Sequence, residues 1–156
     1  MGQQQLLLVI LVTIIVGIAT VVAINTFGSA ADQANIDAVN NDIATLASAA
    51  QGYYMRPQML GGGGRSFIGL TFDGLAFPAT YIDNDGDPTA VNENGRYELV
   101  DINQGFFTIE AYPSSDPDYS PGADPNTDVS TGGTAIQAGV APNNFELNAT
   151  GAEVGS

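Results

Sequence analysis

Residues 6–24 read LLLVILVTIIVGIATVVAI, and residues 30–54 read AADQANIDAVNNDIATLASAAQGYY. The first stretch carries no charge in nineteen positions, and fourteen of these are Leu, Ile or Val. At about 1.5 Å of rise per residue it matches a hydrocarbon core of roughly 30 Å. At about −0.3 to −0.6 kcal/mol for each Leu, Ile or Val, its insertion is favoured by roughly 4 to 8 kcal/mol. The second stretch repeats Ile36, Val39, Ile43, Leu46 and Ala50 at spacings of three and four, which is one apolar stripe of a helix. Residues such as Asp32, Asp37, Asn41, Asp42 and Ser48 fall on its other faces and are expected at a soluble surface. No proline precedes Pro57, so nothing forces a break. One helix over residues 1–52 is predicted, with an apolar half at 6–24 and an amphipathic half at 29–52. From Gln3 to Gln51 it would be about 70 to 75 Å long, more than twice what a bilayer requires.

Three readings of the apolar half compete. A secretory signal needs a basic n-region, and Met-Gly-Gln-Gln-Gln has none. A single-span anchor is oriented by flanking cations, and no Lys or Arg precedes Arg56. The third reading uses the continuation. A free monomer in water cannot satisfy a helix that is apolar all round, whereas a filament buries it among copies. On that reading the assembly surface is Leu6, Leu7, Leu8, Ile10, Leu11, Ile14, Ile15, Ile18, Val21 and Val22. The stripe Ile36, Val39, Ile43, Leu46 and Ala50 then packs against the chain's own head.

Composition narrows the chemistry. Seventeen acidic residues stand against Arg56, Arg65 and Arg96, with no Lys, for a net charge of −14. Nucleic acid is bound through Lys and Arg, so no nucleic-acid partner is expected, and a basic patch for anionic lipid is missing too. The absence of Cys and His removes disulfides, thiolate metal sites, thiol catalysis and the commonest general base. Carboxylates, hydroxyls and three arginines remain, a set that points away from an enzyme. Twelve of the thirteen aromatic residues lie from Tyr53 onward. Residues 53–156 are therefore expected to form an acidic head domain.

The head reads as β-structure. Strands are predicted at Ser66–Phe72, at Arg96–Ile102 with Tyr97, Leu99 and then Asp101 in alternation, and at Gly105–Tyr112. Asn94-Gly95 and Asn103-Gln104-Gly105 are turn sequences, the second joining a hairpin. Gly61 to Gly64 reads as a flexible connector; it lacks the Lys-Ser/Thr of a phosphate loop. Residues 113–156 are rich in Pro, Ser, Asp, Gly and Thr and read as a loop-rich tail, with a late strand at Asn144–Asn148. The fold class expected is α+β: a long N-terminal helix with a small antiparallel sheet of three to five strands packed on its stripe.

The order of an uncharged apolar helix, an amphipathic continuation and a β-rich head resembles the type IV pilin superfamily over Gly2 to about Tyr54. The Gly-Gln-Gln-Gln start is similar to pilin-type leader junctions. The blocks GQQQLLL, AQGYYMRP and GGGGRSF are similar to those of a group of bacterial pilin-like proteins. The resemblance implies a structural subunit whose partner is itself, held in the inner membrane before assembly and handled by a prepilin peptidase and assembly machinery. Its implied location is an extracellular surface filament; a secretion-system pseudopilin and a membrane-anchored binding module are the alternatives. Typical members carry a Glu five residues into the mature chain, whereas the first acid here is Asp32. The amides of Gln3, Gln4 and Gln5 stand in that region without its charge. A basic leader is also missing, so either the start is already trimmed or the leader is short.

One segment has the composition of a cation site. Residues 81–87, YIDNDGD, place Asp83, Asp85 and Asp87 at alternating positions beside Gly86, the oxygen-rich layout of calcium loops. The spacing is not that of an EF-hand, because the Gly comes one place early and the twelfth place is Asn94. Calcium as a structural staple and a plain solvated acidic turn both remain open readings. Asn148-Ala149-Thr150 also fits a glycosylation sequon.

Overall fold

The computed structural model describes residues 2–84, 86–117, 119, 135–149 and 151–155. The chain is α+β: a long N-terminal helix and one six-stranded antiparallel sheet; the last two strands and a short final helix lie in the described part of the C-terminal region. Helix α1 spans Gly2–Met55. The chain divides into two compact units, residues 1–34 and residues 35–156.

In the first unit the side chains follow from composition alone. The large apolar residues between Leu6 and Ile24 are 47 to 67 % exposed, and none of the apolar window is buried. Its hydroxyls are satisfied within the helix: Thr13 Oγ1 donates to Ile10 O at 2.8 Å and Thr20 Oγ1 to Val16 O at 2.8 Å. Thr26 and Ser29 do the same with Val22 and Asn25. Such back-bonding is how Ser and Thr meet their donors where no water is at hand.

The second unit is a meander. Strands β1 (Tyr81–Asp83), β2 (Thr89–Val91), β3 (Gly95–Val100), β4 (Phe107–Pro113), β5 (Ile136–Ala141) and β6 (Asn144–Leu147) pair in chain order, all antiparallel. Alternation sends Tyr97 and Leu99, then Phe107, Ile109 and Ala111, then Ala138 and Val140 to one face. The register sets Ala90, Tyr97 and Ala111 in one cross-strand row. Small residues on both sides give the Tyr97 ring its room. Val39, Ile43, Leu46, Ala47 and Ala50 of α1 belong to the same core cluster, and Ile36 is half-buried.

On the opposite face Glu98 stands directly across from Glu110, a like-charge pairing that costs stability unless each is compensated. Arg96 pairs with Glu98 at 2.7 Å, while Gln137 and the Tyr112 hydroxyl donate to the two oxygens of Glu110 at 2.9 and 3.0 Å. Burial first, then the bond to Glu110, pushes the Tyr112 phenol up to about 12.

The sheet has six strands where the sequence predicts three to five, because β1, β2 and β5 add to it by pairing, and three further segments differ from the sequence expectation. Residues 66–72 form no strand, because Arg65 and Gly69 take positive φ of 70° and 84° and interrupt extension. Phe67, Leu70 and Phe72 are buried at spacings of three and two, and Thr71 caps the short helix α2 (Phe72–Leu75) by accepting from Gly74 N. Asp101 leaves the alternation at φ 53° and is exposed in the β3–β4 turn. The glycine run is a packed helix cap and not a flexible connector. Gly63 N donates to Tyr53 O and Arg65 N to Tyr54 O, both at 2.9 Å, so the loop satisfies carbonyls that the end of α1 leaves open.

At Gly63 a Cβ would overlap Ser66 O and the Tyr53 ring. Gly63→Ala is therefore expected to cost about 1–3 kcal/mol, as overpacking does. Gly61→Ala, with open space but a φ of 74°, serves as the comparison in denaturant unfolding.

Candidate functional site

The segment with the clearest functional surface is Leu6–Ile24. Leu6, Leu7, Leu8, Ile10, Leu11, Ile14, Ile15, Ile18, Val21 and Val22 are all exposed, distributed around the whole helix and not along one stripe. By length and composition this helix can cross a membrane. A face that apolar is not stable in water, so its ordinary surroundings are lipid or protein.

The acidic loop is described in part. Asp83 ends β1 half-buried, Asp87 is exposed, and Asp85 lies outside the described residues. The Asp87 carbonyl accepts from Thr89 Oγ1 at 3.1 Å, and Asn84 Nδ2 donates to Asp73 Oδ2 at 2.8 Å, which ties the loop to α2. Among the described residues no three carboxylates converge as a hard-cation site needs. The described part of the loop gives the calcium reading no support.

A different carboxylate holds a built position. Asp42, placed by periodicity on the solvent side of α1, is half-buried. Its Oδ2 accepts from Tyr97 Oη at 2.7 Å, Asn94 Nδ2 at 2.8 Å and Asn92 Nδ2 at 2.9 Å. The two asparagines sit on the β2–β3 turn, where Asn92 Oδ1 also accepts from Asn94 N and Gly95 N. Asn35, two turns back on α1, donates to Asn94 O at 2.9 Å and accepts from Ser115 N at 3.1 Å. Together these bonds clamp one side of the helix to the hairpin. Gln51 makes a similar bond to Ala141 O at 3.1 Å on β5. A cleft of about 500 Å³ opens beside the clamp, lined by Asp42, Pro78, Ala79, Thr80, Asn92, Glu93 and Asn94.

Burial by itself raises the Asp42 pKa, but the hydrogen bonds from Asn94, Tyr97 and Asn92 together outweigh it and hold the carboxyl below its ordinary range. Burial, then the bond to Asp42 and its charge, pushes the Tyr97 phenol far above the usual tyrosine range. An acid shifted down beside a phenol shifted up is poorly matched to proton transfer near neutrality. The geometry is that of a structural clamp.

A depressed folded-state pKa means that the clamp's contribution is fully present above the ordinary carboxyl value of about 3.9. It is lost as pH falls through the lower folded-state value. Asp42→Ala is expected to cost about 1–3 kcal/mol at pH 7, since it leaves three donors short of an acceptor. The gap between wild type and Asp42→Asn, followed by denaturant unfolding across pH, should be flat near neutrality and shrink below about pH 4. A gap that stays constant down to about pH 2 would remove the charge from the explanation.

Sequence reading missed Asp42 because its partners lie 50 to 55 residues away. The available signal was an Asn-x-Asn-Gly turn, residues 92–95, leading into a strand with an inward tyrosine. Comparison of the chain with protein-family models, with curated proteins and with solved structures gave no match.

Proposed function

We propose that this chain is the structural subunit of an extracellular filament of the type IV pilin kind, and that it is not an enzyme. Copies polymerise by burying residues 6–24 against one another, after a stage in which the same helix lies in the inner membrane. The acidic heads then form the outer surface, where their charge keeps the polymer soluble. A prepilin peptidase and a membrane assembly machinery are the expected processing partners.

The observation that carries this reading is the pairing of two facts. The head has its own core cluster, drawn entirely from residues after Asn35, and the helix unit before it presents apolar side chains on every side. Among the described residues nothing in the head's core calls for residues 6–24, which supports lipid or other copies as their partners. The nineteen-residue length also favours a second reading, a single membrane anchor for a binding head.

Electron microscopy of cells and shed material, with antibody against the head, separates the two. Filaments carrying the label are the expected result; label confined to dispersed membrane protein would overturn the filament reading. Mass spectrometry of the native N-terminus then reports whether the start is processed and methylated, as the pilin resemblance implies.

A further inference from the structure

One end of the head is chemically unlike the rest of the chain. No Asp or Glu occurs between Asp42 and Asp73, although the chain has seventeen of them. Two of the three arginines, Arg56 and Arg65, fall in this interval. The third, Arg96, is held by Glu98 at 2.7 Å, whereas Arg56 and Arg65 are exposed and make no ion pair among the described residues. The backbone brings these two together: Gly64 N donates to Arg56 O and Arg65 N to Tyr54 O, each at 2.9 Å. Arg65 therefore lies beside the last turn of α1, immediately before Arg56.

Met55 at the end of α1 and Met59, Leu60 and Ile68 on the loop after it are exposed by 75, 97, 71 and 64 %. Among the described residues of the head unit these are the four most exposed large apolar side chains. Single exposed apolar residues are ordinary; four between Met55 and Ile68, beside the free cations, are not. The arginines also complement the negative end of the α1 dipole, but that accounts for neither the methionines nor Ile68.

We propose that this basic, apolar surface docks onto the acidic head of a second copy of the chain. The inference rests on the self-assembly reading above and adds the contact between heads. Copies with a net charge of −14 repel one another when packed side by side. A favourable contact between them needs a cationic surface, and Arg56 and Arg65 are the described cations free to supply it. Exposed acids such as Asp73, Asp87 and Glu93 lie outside the loop and provide the complement. The two surfaces differ, so the contact is head-to-tail. A contact of that kind propagates along a polymer, where a self-complementary patch would close a dimer.

The chain has no cysteine, so Met59→Cys gives it a single thiol for a benzophenone maleimide. Isotope-labelled and unlabelled protein are mixed, assembled and irradiated, and the adducts are mapped by mass spectrometry. The expected adduct joins position 59 to an acidic head peptide of another copy. Its yield should fall severalfold in the Arg56→Glu/Arg65→Glu double variant and at about 0.5 M salt, where exposed charges are screened. Ile68→Cys repeats the measurement from the other side of the loop.

Adducts only to lipid, only to residues 6–24 or only to a different protein would overturn the proposal, as would yields indifferent to both charge reversal and salt. Electron microscopy of the same samples separates the two levels. Filaments that form without the adduct refute the head contact alone, and loss of both filaments and adduct refutes the self-assembly reading as well.

Discussion

Tyr97→Ala is expected to lower the stability of the head by about 3–5 kcal/mol, the range for deleting a buried aromatic ring. Tyr97 is fully buried, packs edge-on to Phe77 at 5.1 Å and sits between Ala90 and Ala111 in its cross-strand row. Neighbours that small cannot collapse into the space, so most of the cavity persists. The variant also removes the shortest bond to Asp42 Oδ2 and leaves a half-buried carboxylate with two donors in place of three. A domain stable by 5–15 kcal/mol loses a large fraction of its margin this way. Tyr97→Phe separates the contributions, because it keeps the ring and deletes only the hydroxyl, for about 1–2 kcal/mol. Denaturant unfolding, read by tyrosine near-UV signal and by amide exchange in β3 and β4, measures both. A loss below about 1 kcal/mol for the alanine variant would show that the row repacks.

Ile15→Arg is expected to act on the other unit and leave the head unchanged. Moving from an isoleucine to an arginine at the centre of an apolar span shifts insertion by about 3–4 kcal/mol, or two to three orders of magnitude in the equilibrium. Filament yield should collapse and membrane partition should weaken by that factor without being abolished, while the melting transition of the head keeps its position, because its core cluster contains no residue before Val39. Ile15→Leu should change neither. Wild-type filament yield in Ile15→Arg would mean that the segment is not buried in the polymer.

The parts of the fold legible in the sequence are those whose burial repeats locally. The stripe from Ile36 to Ala50 and the alternation around Tyr97 and Ile109 each state their own period, and α1, β3 and β4 stand at or near those places, while β6 is marked only by the apolar Phe145 and Leu147 in a polar tract. Strands β1 and β2 are three residues long, too short to show a period. Strand β5, IQAGVA, separates its two β-branched residues, Ile136 and Val140, by Gln, Ala and Gly inside a polar tract, which leaves little strand signal. Its identity comes from pairing with β4, which no window of sequence reveals.

Residues 66–72 mislead for the opposite reason. Their composition suits a strand, but positive φ at Arg65 and Gly69 and the Thr71 cap redirect the backbone. Of the candidate sites, the apolar helix was legible because composition alone defines it. The Asp42 clamp was not, since a helix position facing solvent in one dimension meets a hairpin in three.

The internally bonded hydroxyls of the first unit have a consequence for how such a subunit could leave one environment for another. Thr13, Thr20, Thr26 and Ser29 each carry their acceptor with them, one turn back along the same helix. Passage from lipid to a proteinaceous interior therefore breaks no side-chain hydrogen bond at these positions and requires no new donor or acceptor from the destination. The segment is portable between two dry solvents, and the choice between them is left to shape and dispersion. On the proposed filament reading, small differences in packing then suffice to move the equilibrium in either direction, which is the condition for a polymer that both grows from a membrane pool and returns to it.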